Sequence, residues 1–186
     1  MDPLDRRLIV LLQEDGRLTL TELGKRLGVS HVSAGKRLKK LVEGGFIKIG
    51  AQLGLGAFKL KVLTVLLEVE GAKRLNEVCK TFSRCPRVVF LATVLGRLNL
   101  LALLIAEDDG VLESMATTCA IREVRGVKQA EVYVLGEVLW PSFMPLRVVE
   151  RRRRQAPCGR SCASCARFQS EACLGCPAFE GYRGPL

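Results

Sequence analysis

The stretch from Leu98 to Ala106 narrows the fold of this chain more than any other. Read as a strand, it places Leu98, Leu100, Ala102 and Leu104 on one face and Leu101, Leu103 and Ile105 on the other. Both faces are apolar, so both need cover, because a large bare apolar sheet is rare on a monomer. The surrounding pattern supplies one layer of that cover. Leu60–Glu70 reads as a strand, apolar on both faces until Glu68, and Gly71–Phe82 as a helix with Leu75 and Val78 facing inward. Val88–Leu95 pairs with Leu98–Ala106 as a hairpin around Gly96-Arg97, Val111–Cys119 gives a second helix, and Val127–Trp140 a last strand region. Strand-helix-strand-strand-helix-strand is the ferredoxin-like βαββαβ order, in which both helices lie on one side of the sheet. The other side is expected to meet a second copy of the chain; cover by the C-terminal tail is the competing reading.

Charge is distributed unevenly over the 186 residues. The formal net charge is +10, with residues 1–58 holding 10 basic and 6 acidic side chains, residues 59–146 holding 11 and 10, and residues 147–186 holding 8 and 3. A neutral middle between two basic ends suggests a polyanionic partner, most often nucleic acid. No run of 18 uncharged apolar residues exists and the first residues lack a signal-peptide order, so a cytoplasmic protein without membrane contact is expected.

The first fifty residues read as a helix-turn-helix. Asp2-Pro3 opens a helix in which Leu4, Leu8, Leu11 and Leu12 keep helical spacing until Asp15-Gly16. Thr19 and Glu22 have capping-box form, Leu20, Leu23 and Leu27 supply a buried stripe, and Gly28-Val29 makes the turn. Ser30 caps a third helix whose inward face is Ala34, Leu38 and Leu41 and whose opposite face carries His31, Val32, Ser33, Lys36, Lys39 and Lys40. Seven basic residues and one acidic one lie between Lys25 and Lys48. Such a helix can place its first turns against base edges and its lysines on phosphates. The candidate double-stranded DNA contacts are therefore Ser30, His31, Val32, Ser33, Lys36, Arg37, Lys39, Lys40 and Lys48. Gly35 costs the helix about 1 kcal/mol relative to alanine, and is either tolerated or allows close approach to DNA. Phe46–Ile49 has the look of the first strand of a wing.

Leu4 to Leu12, Asp15 to Thr19, Glu22 to Ser30, Arg37 to Leu41 and Gly45-Phe46-Ile47 together resemble the opening of the Lrp/AsnC family of transcription regulators. The resemblance covers roughly residues 2–140 and implies a winged helix-turn-helix joined to a paired-sheet domain, assembled as a homodimer or a higher even oligomer. It also implies a small-molecule effector near the hairpin between the second and third strands, where Gly-x-x-Asp is common in the family. This chain has Gly96-Arg97-Leu98-Asn99, so Gly96 and Asn99 are the candidate effector residues, with an amide where an ammonium would meet a carboxylate.

The last forty residues depart from that family pattern. Cys158, Cys162, Cys165, Cys173 and Cys176 put five thiols within 19 residues, next to very little apolar material. Two Cys-x2-Cys pairs suit a tetrahedral zinc site at Cys162, Cys165, Cys173 and Cys176, with Cys158 a spare or exchangeable ligand. The Cys176-Pro177 ending also fits an iron–sulfur cluster. Phe168 and Phe179 offer a small apolar patch, and so short a segment needs a staple. Cys79, Cys85 and Cys119 read as small buried hydrophobes.

The expected architecture is α+β. A winged helix-turn-helix over residues 1–50 and a linker over 51–58 precede a ferredoxin-like dimerisation and effector domain over 59–146. A basic linker over 147–157, containing Arg151–Arg154, leads to a metal-stapled tail over 158–186. The expected function is sequence-specific transcription regulation. The alternatives are a regulator that senses metal or redox state through its cysteines, and an enzyme resembling the sirohaem decarboxylases. The lack of any histidine besides His31 weighs against the enzyme.

Overall fold

The computed structural model describes residues 2–186, which fall into two compact units, one up to Ala51 and one from Gln52 onward.

In the first unit α1 (Pro3–Glu14) starts at Asp2, whose side chain accepts the Asp5 N–H at 2.8 Å. The α2 helix (Leu20–Leu27) opens with a complete capping box between Thr19 and Glu22 and closes on Gly28 at φ 72°. Ser30 caps α3 (His31–Glu43) by accepting the Ser33 N–H at 3.1 Å. Leu8, Leu23, Leu27, Ala34 and Leu41 form the core, with Leu38 and Ile47 packed against it. The expected wing strand at 46–49 is absent. Gly45 turns into the left-handed region at φ 70°, and the Phe46 N–H returns to the Leu41 carbonyl at 2.9 Å while the Gly45 N–H reaches that of Val42. This doubly bonded helix end uses the amides that a strand would have offered to a neighbour.

The second unit begins with β1 (Leu53–Gly54), β2 (Lys61–Val69), α4 (Gly71–Phe82), β3 (Val88–Thr93) and β4 (Leu100–Ala106). It continues with α5 (Asp109–Thr117), the single turn α6 (Ala120–Glu123), β5 (Val127–Val134), β6 (Phe143–Met144) and α7 (Ala166–Gln169). The four long strands pair antiparallel in the order β3-β4-β2-β5, the ferredoxin-like arrangement. One face carries Leu63, Val65, Leu67, Leu100, Ala102 and Leu104, buried beneath Val78 and Phe82 of α4 and Val111 and Met115 of α5. On the other face the register sets Tyr133, Thr64, Leu103 and Phe90 in one row and Glu131, Leu66, Leu101 and Ala92 in the next. Phe90 and Tyr133 are about half exposed there.

Three sequence expectations are corrected in this unit. The final strand stops at Val134, because Leu63 and Val62, near the start of β2, already pair with Val134 and Leu135 and leave it little further to offer. Residues 51–58 are not a simple linker: Leu53 pairs with Met144, and Leu55 is buried with Val62, Ile105, Met144, Leu146, Tyr182 and Leu186 over one end of the second sheet face. Nor is 147–157 a free basic strap. Arg147 donates to the carbonyls of Ser83, Cys85 and Val88. The Arg151 guanidinium lies 5.0 Å over the Tyr182 ring, and Arg153 pairs through its backbone with Ala178 and Glu180. Arginine side chains satisfy carbonyls while their stems cover apolar surface, so the like-charge run packs where a sequence reading sees only repulsion.

The tail is consequently part of the second unit. Phe168 and Phe179 meet edge to face at 5.5 Å within a small core of Ala156, Cys176 and Ala178. Arg167 donates to the Ser114 hydroxyl at 2.6 Å and to Glu113 at 2.8 Å. A Cβ on Gly110 would stand 2.6 Å from the Ala172 carbonyl oxygen, so the tail backbone lies directly on the start of α5. Arg87 is 7% exposed and donates to both oxygens of Glu107, a carboxylate that also accepts the Tyr182 hydroxyl.

Candidate nucleic-acid interface and cysteine cavity

The outward side of α3 is built by its cap and its turn. Gly24 lets the turn approach α2: a Cβ there would lie 2.8 Å from the Val29 carbonyl oxygen and 3.0 Å from the His31 nitrogen. With the helix start thus fixed, His31, Val32, Lys36, Lys39 and Lys40 are exposed, Ser33 is half-buried, and Ser30 is the cap. Among the described residues Lys36 and Lys40 have no acidic partner, whereas Lys39 stands 3.7 Å from Glu43. Lys48 is exposed beyond the helix end. Arg37 is used differently from expectation. Its guanidinium binds Asp2 and the buried Asp5 at 2.5 and 2.6 Å, tying α3 to α1, and the Asp2 carboxyl is held below the usual range by that contact. Gly35 also faces inward, since a Cβ there would meet Leu20 of α2 at 3.3 Å.

These two glycines give opposite expectations. Alanine is favoured over glycine in a helix by about 1 kcal/mol. At Gly35 the only neighbour is a half-exposed leucine side chain that can swing aside, so Gly35→Ala is expected to stabilise the first unit by up to that amount. At Gly24 the added methyl meets backbone, and overpacking of about 1–3 kcal/mol outweighs the propensity gain. Thermal melting of the two variants should therefore shift in opposite directions, and equal shifts would refute the packing account of the turn.

A second arrangement lies in the other unit. Cys85 in the turn between α4 and β3 and Cys119 before α6 face the same cavity, of about 120 Å3, as tail cysteines Cys158, Cys162, Cys165, Cys173 and Cys176. Its remaining wall is largely apolar, including Leu104, Val111, Met115 and Phe168. Burial pushes the Cys85 thiol up to about 11, with Cys119 and Cys158 adding to the rise. Burial also pushes Cys176 up to about 12, and Cys85 and Cys162 are its thiol neighbours; Cys162 in turn feels Cys173 and Cys165. Cys85, Cys119, Cys158 and Cys173 pack against the sheet core, and Cys158, Cys162 and Cys165 against the small tail core that contains Cys176. Cys79 does not line the cavity. All eight thiols are free. Among the described residues no three cysteine, histidine or acidic side chains are gathered closely enough to hold one ion, so the compact four-sulfur zinc arrangement is not assembled in these positions.

Cys85 and Cys119 were not expected here, since a lone cysteine in an apolar stretch reads as a small hydrophobe. The available signal was Arg87, two residues after Cys85. A cation at the entry of a core strand requires a buried partner, and Glu107 with Tyr182 is what brings the tail to this end of the sheet.

Known proteins place the fold. The AsnC-type helix-turn-helix domain model matches residues 1–42. An uncharacterized HTH-type transcriptional regulator of Pyrococcus horikoshii is 30% identical over 147 residues, spanning 74% of this chain and 89% of the relative. The chain belongs to the AsnC/Lrp family of transcriptional regulators. Among solved structures, the transcriptional regulator NMB0573 of Neisseria meningitidis in its L-Met complex shares the fold with TM-score 0.67 and 22% identity, over 76% of this chain and 94% of that one. AsnC of E. coli does so with TM-score 0.63 and 17% identity, over 75% and 94%. The curated relative is named as a regulator and not as an enzyme, and no helix among the described residues is long and apolar enough to cross a membrane.

The hairpin expected to greet an effector in this AsnC/Lrp chain is occupied by its own backbone. The Asn99 side chain accepts the Val69 N–H at 2.9 Å and donates to the Val69 carbonyl at 2.8 Å, patching the ladder beside the β-bulge at Glu68/Val69. Asn99 thus spends one donor and one acceptor on the Val69 backbone. Gly96 is exposed at the turn, beside Arg97, which faces Glu68 and Glu131 at 3.6 and 3.7 Å.

Proposed function

We propose that the chain is a sequence-specific transcription regulator that binds double-stranded DNA as a homodimer or a higher even oligomer. One observation carries this reading: α3 leaves its Ser30 cap with His31 and Val32 exposed in its first turn and Lys36, Lys39 and Lys40 exposed behind them. The first turn of such a helix addresses base edges, Val32 offering apolar contact to a thymine methyl and His31 and Ser33 offering hydrogen bonds. The three lysines, with Lys48, neutralise phosphates. The half-exposed Phe90, Leu101, Leu103 and Tyr133 face supports pairing of two copies through their sheets, which sets two reading helices on two half-sites. The L-Met complex of the Neisseria neighbour supports a small-molecule effector in this chain as well. The cysteine tail adds a metal-holding element to the effector domain.

Footprinting on DNA upstream of the protein's own gene tests the regulator. The wild type is expected to protect a discrete site. With Lys36, Lys39 and Lys40 replaced by alanine the protection should be lost, and the log–log salt slope of residual binding should fall by about 2–3, at about 0.9 per phosphate contact. Protection unchanged by the triple substitution would remove α3 from the interface.

A further inference from the structure

We propose that the cysteine-lined cavity houses an iron–sulfur cluster, ligated by Cys162, Cys165, Cys173 and Cys176. The inference rests on reading the tail as metal-holding and is independent of the DNA-binding face. A zinc ion draws four thiolates to about 2.3 Å from one point, which closes the space between them. Here the sulfurs surround a cavity of about 120 Å3, approaching the ~150 Å3 of cavities that take up benzene, and no three are close enough for a single ion. The space asks for a polynuclear occupant. Four thiolates about one inorganic iron–sulfide core fit both that volume and the Cys162-x2-Cys165 and Cys173-x2-Cys176-Pro177 spacing.

The surroundings suit the same occupant. The Cys176 backbone N–H donates to the Cys162 sulfur at 3.3 Å, a contact that stabilises a charged ligand sulfur. Leu104, Val111, Met115 and Phe168 make much of the remaining wall apolar, and the Arg87 guanidinium on that wall offsets negative charge. Ligation converts four thiols to thiolates, their four protons leaving to solvent, and no electron transfer is required for the cluster to bind. Cys85, Cys119 and Cys158 line the same cavity as non-ligating neighbours, outside the two Cys-x2-Cys pairs. A cluster held there would join the tail to the effector domain, and the protein with and without it would differ at the sheet end where Arg87, Glu107 and Tyr182 meet.

The test is anaerobic reconstitution of the full chain with ferrous and ferric iron in equal parts and sulfide, followed by iron and acid-labile sulfide analysis and a visible spectrum. About four irons and four sulfides per chain with a broad visible band are expected. Cys162→Ser and Cys173→Ser should abolish the band, while Cys85→Ser and Cys79→Ser should retain it; far-UV circular dichroism on each variant separates lost ligation from lost folding. One zinc per chain and no visible band would overturn the cluster and leave the metal-holding tail in place. Absence of any bound metal would overturn both. A band that survives in well-folded Cys162→Ser and Cys173→Ser would overturn the ligand assignment. None of these outcomes bears on the footprint.

Discussion

Glu107→Ala is expected to destabilise the second unit by about 3–5 kcal/mol, the cost of leaving a buried charge without its partner. Arg87 donates to Glu107 through Nε at 3.2 Å and through its terminal nitrogen to both carboxylate oxygens at 2.9 Å, and the two side chains are 9% and 2% exposed. Removing the carboxylate strands the guanidinium and also the Tyr182 hydroxyl, which anchors the end of the tail. Glu107→Gln keeps one acceptor and should lose markedly less. Urea unfolding followed by circular dichroism measures both. If Glu107→Ala and Glu107→Gln unfold at the same midpoint as the wild type, the pair does not hold the tail to the sheet. Tyr182→Phe, which leaves the ion pair intact, should cost only about 1 kcal/mol.

Leu101→Asp combined with Leu103→Asp is expected to reduce the proposed even oligomer to a monomer. The two leucines occupy the centre of the open sheet face, Leu103 between Thr64 and Phe90 and Leu101 between Leu66 and Ala92. In the proposed sheet-to-sheet pairing the four carboxylates would be buried in one interface, and like charges brought together there cost several kcal/mol. The monomer keeps one reading helix, so affinity for a two-half-site operator should fall by about 10^2–10^4 as the gain from linked binding disappears. Light scattering coupled to size exclusion reads the mass directly. A variant that stays dimeric, with unchanged circular dichroism, would place the interface elsewhere.

Much of this organisation was legible in the residue pattern because period and burial agree. The helical spacing of Leu20, Leu23 and Leu27, the alternation along Leu98–Ala106 and the caps at Asp2, Thr19 and Ser30 are local properties, set within a few residues. What escaped the sequence depends on contacts distant along the chain. Arg37 looks like its neighbouring lysines until Asp5, 32 residues away, is seen to face it. Arg147 and Arg151 belong to a run that suggests a solvated strap, yet they reach the carbonyls of Ser83 and Gly184. The tail cysteines announce themselves by spacing, but Cys85 and Cys119 have no spacing to announce. They join the cavity through the path of β3 and the turn before α6. Phe46–Ile49 misled because its alternation is strand-like while Gly45, just before it, diverts the backbone into a helix end.

The Asn99 amide behaves as a peptide group borrowed by the β-ladder, giving and receiving one hydrogen bond at Val69. An aspartate would mimic its shape but has no N–H to give when ionised, and would aim a charge at the Val69 carbonyl. Asn99→Asp is a single-nucleotide step in the genetic code, yet here it would first open a seam in the sheet. A lineage that took that step would have to rebuild the bulge at Glu68/Val69 along with it.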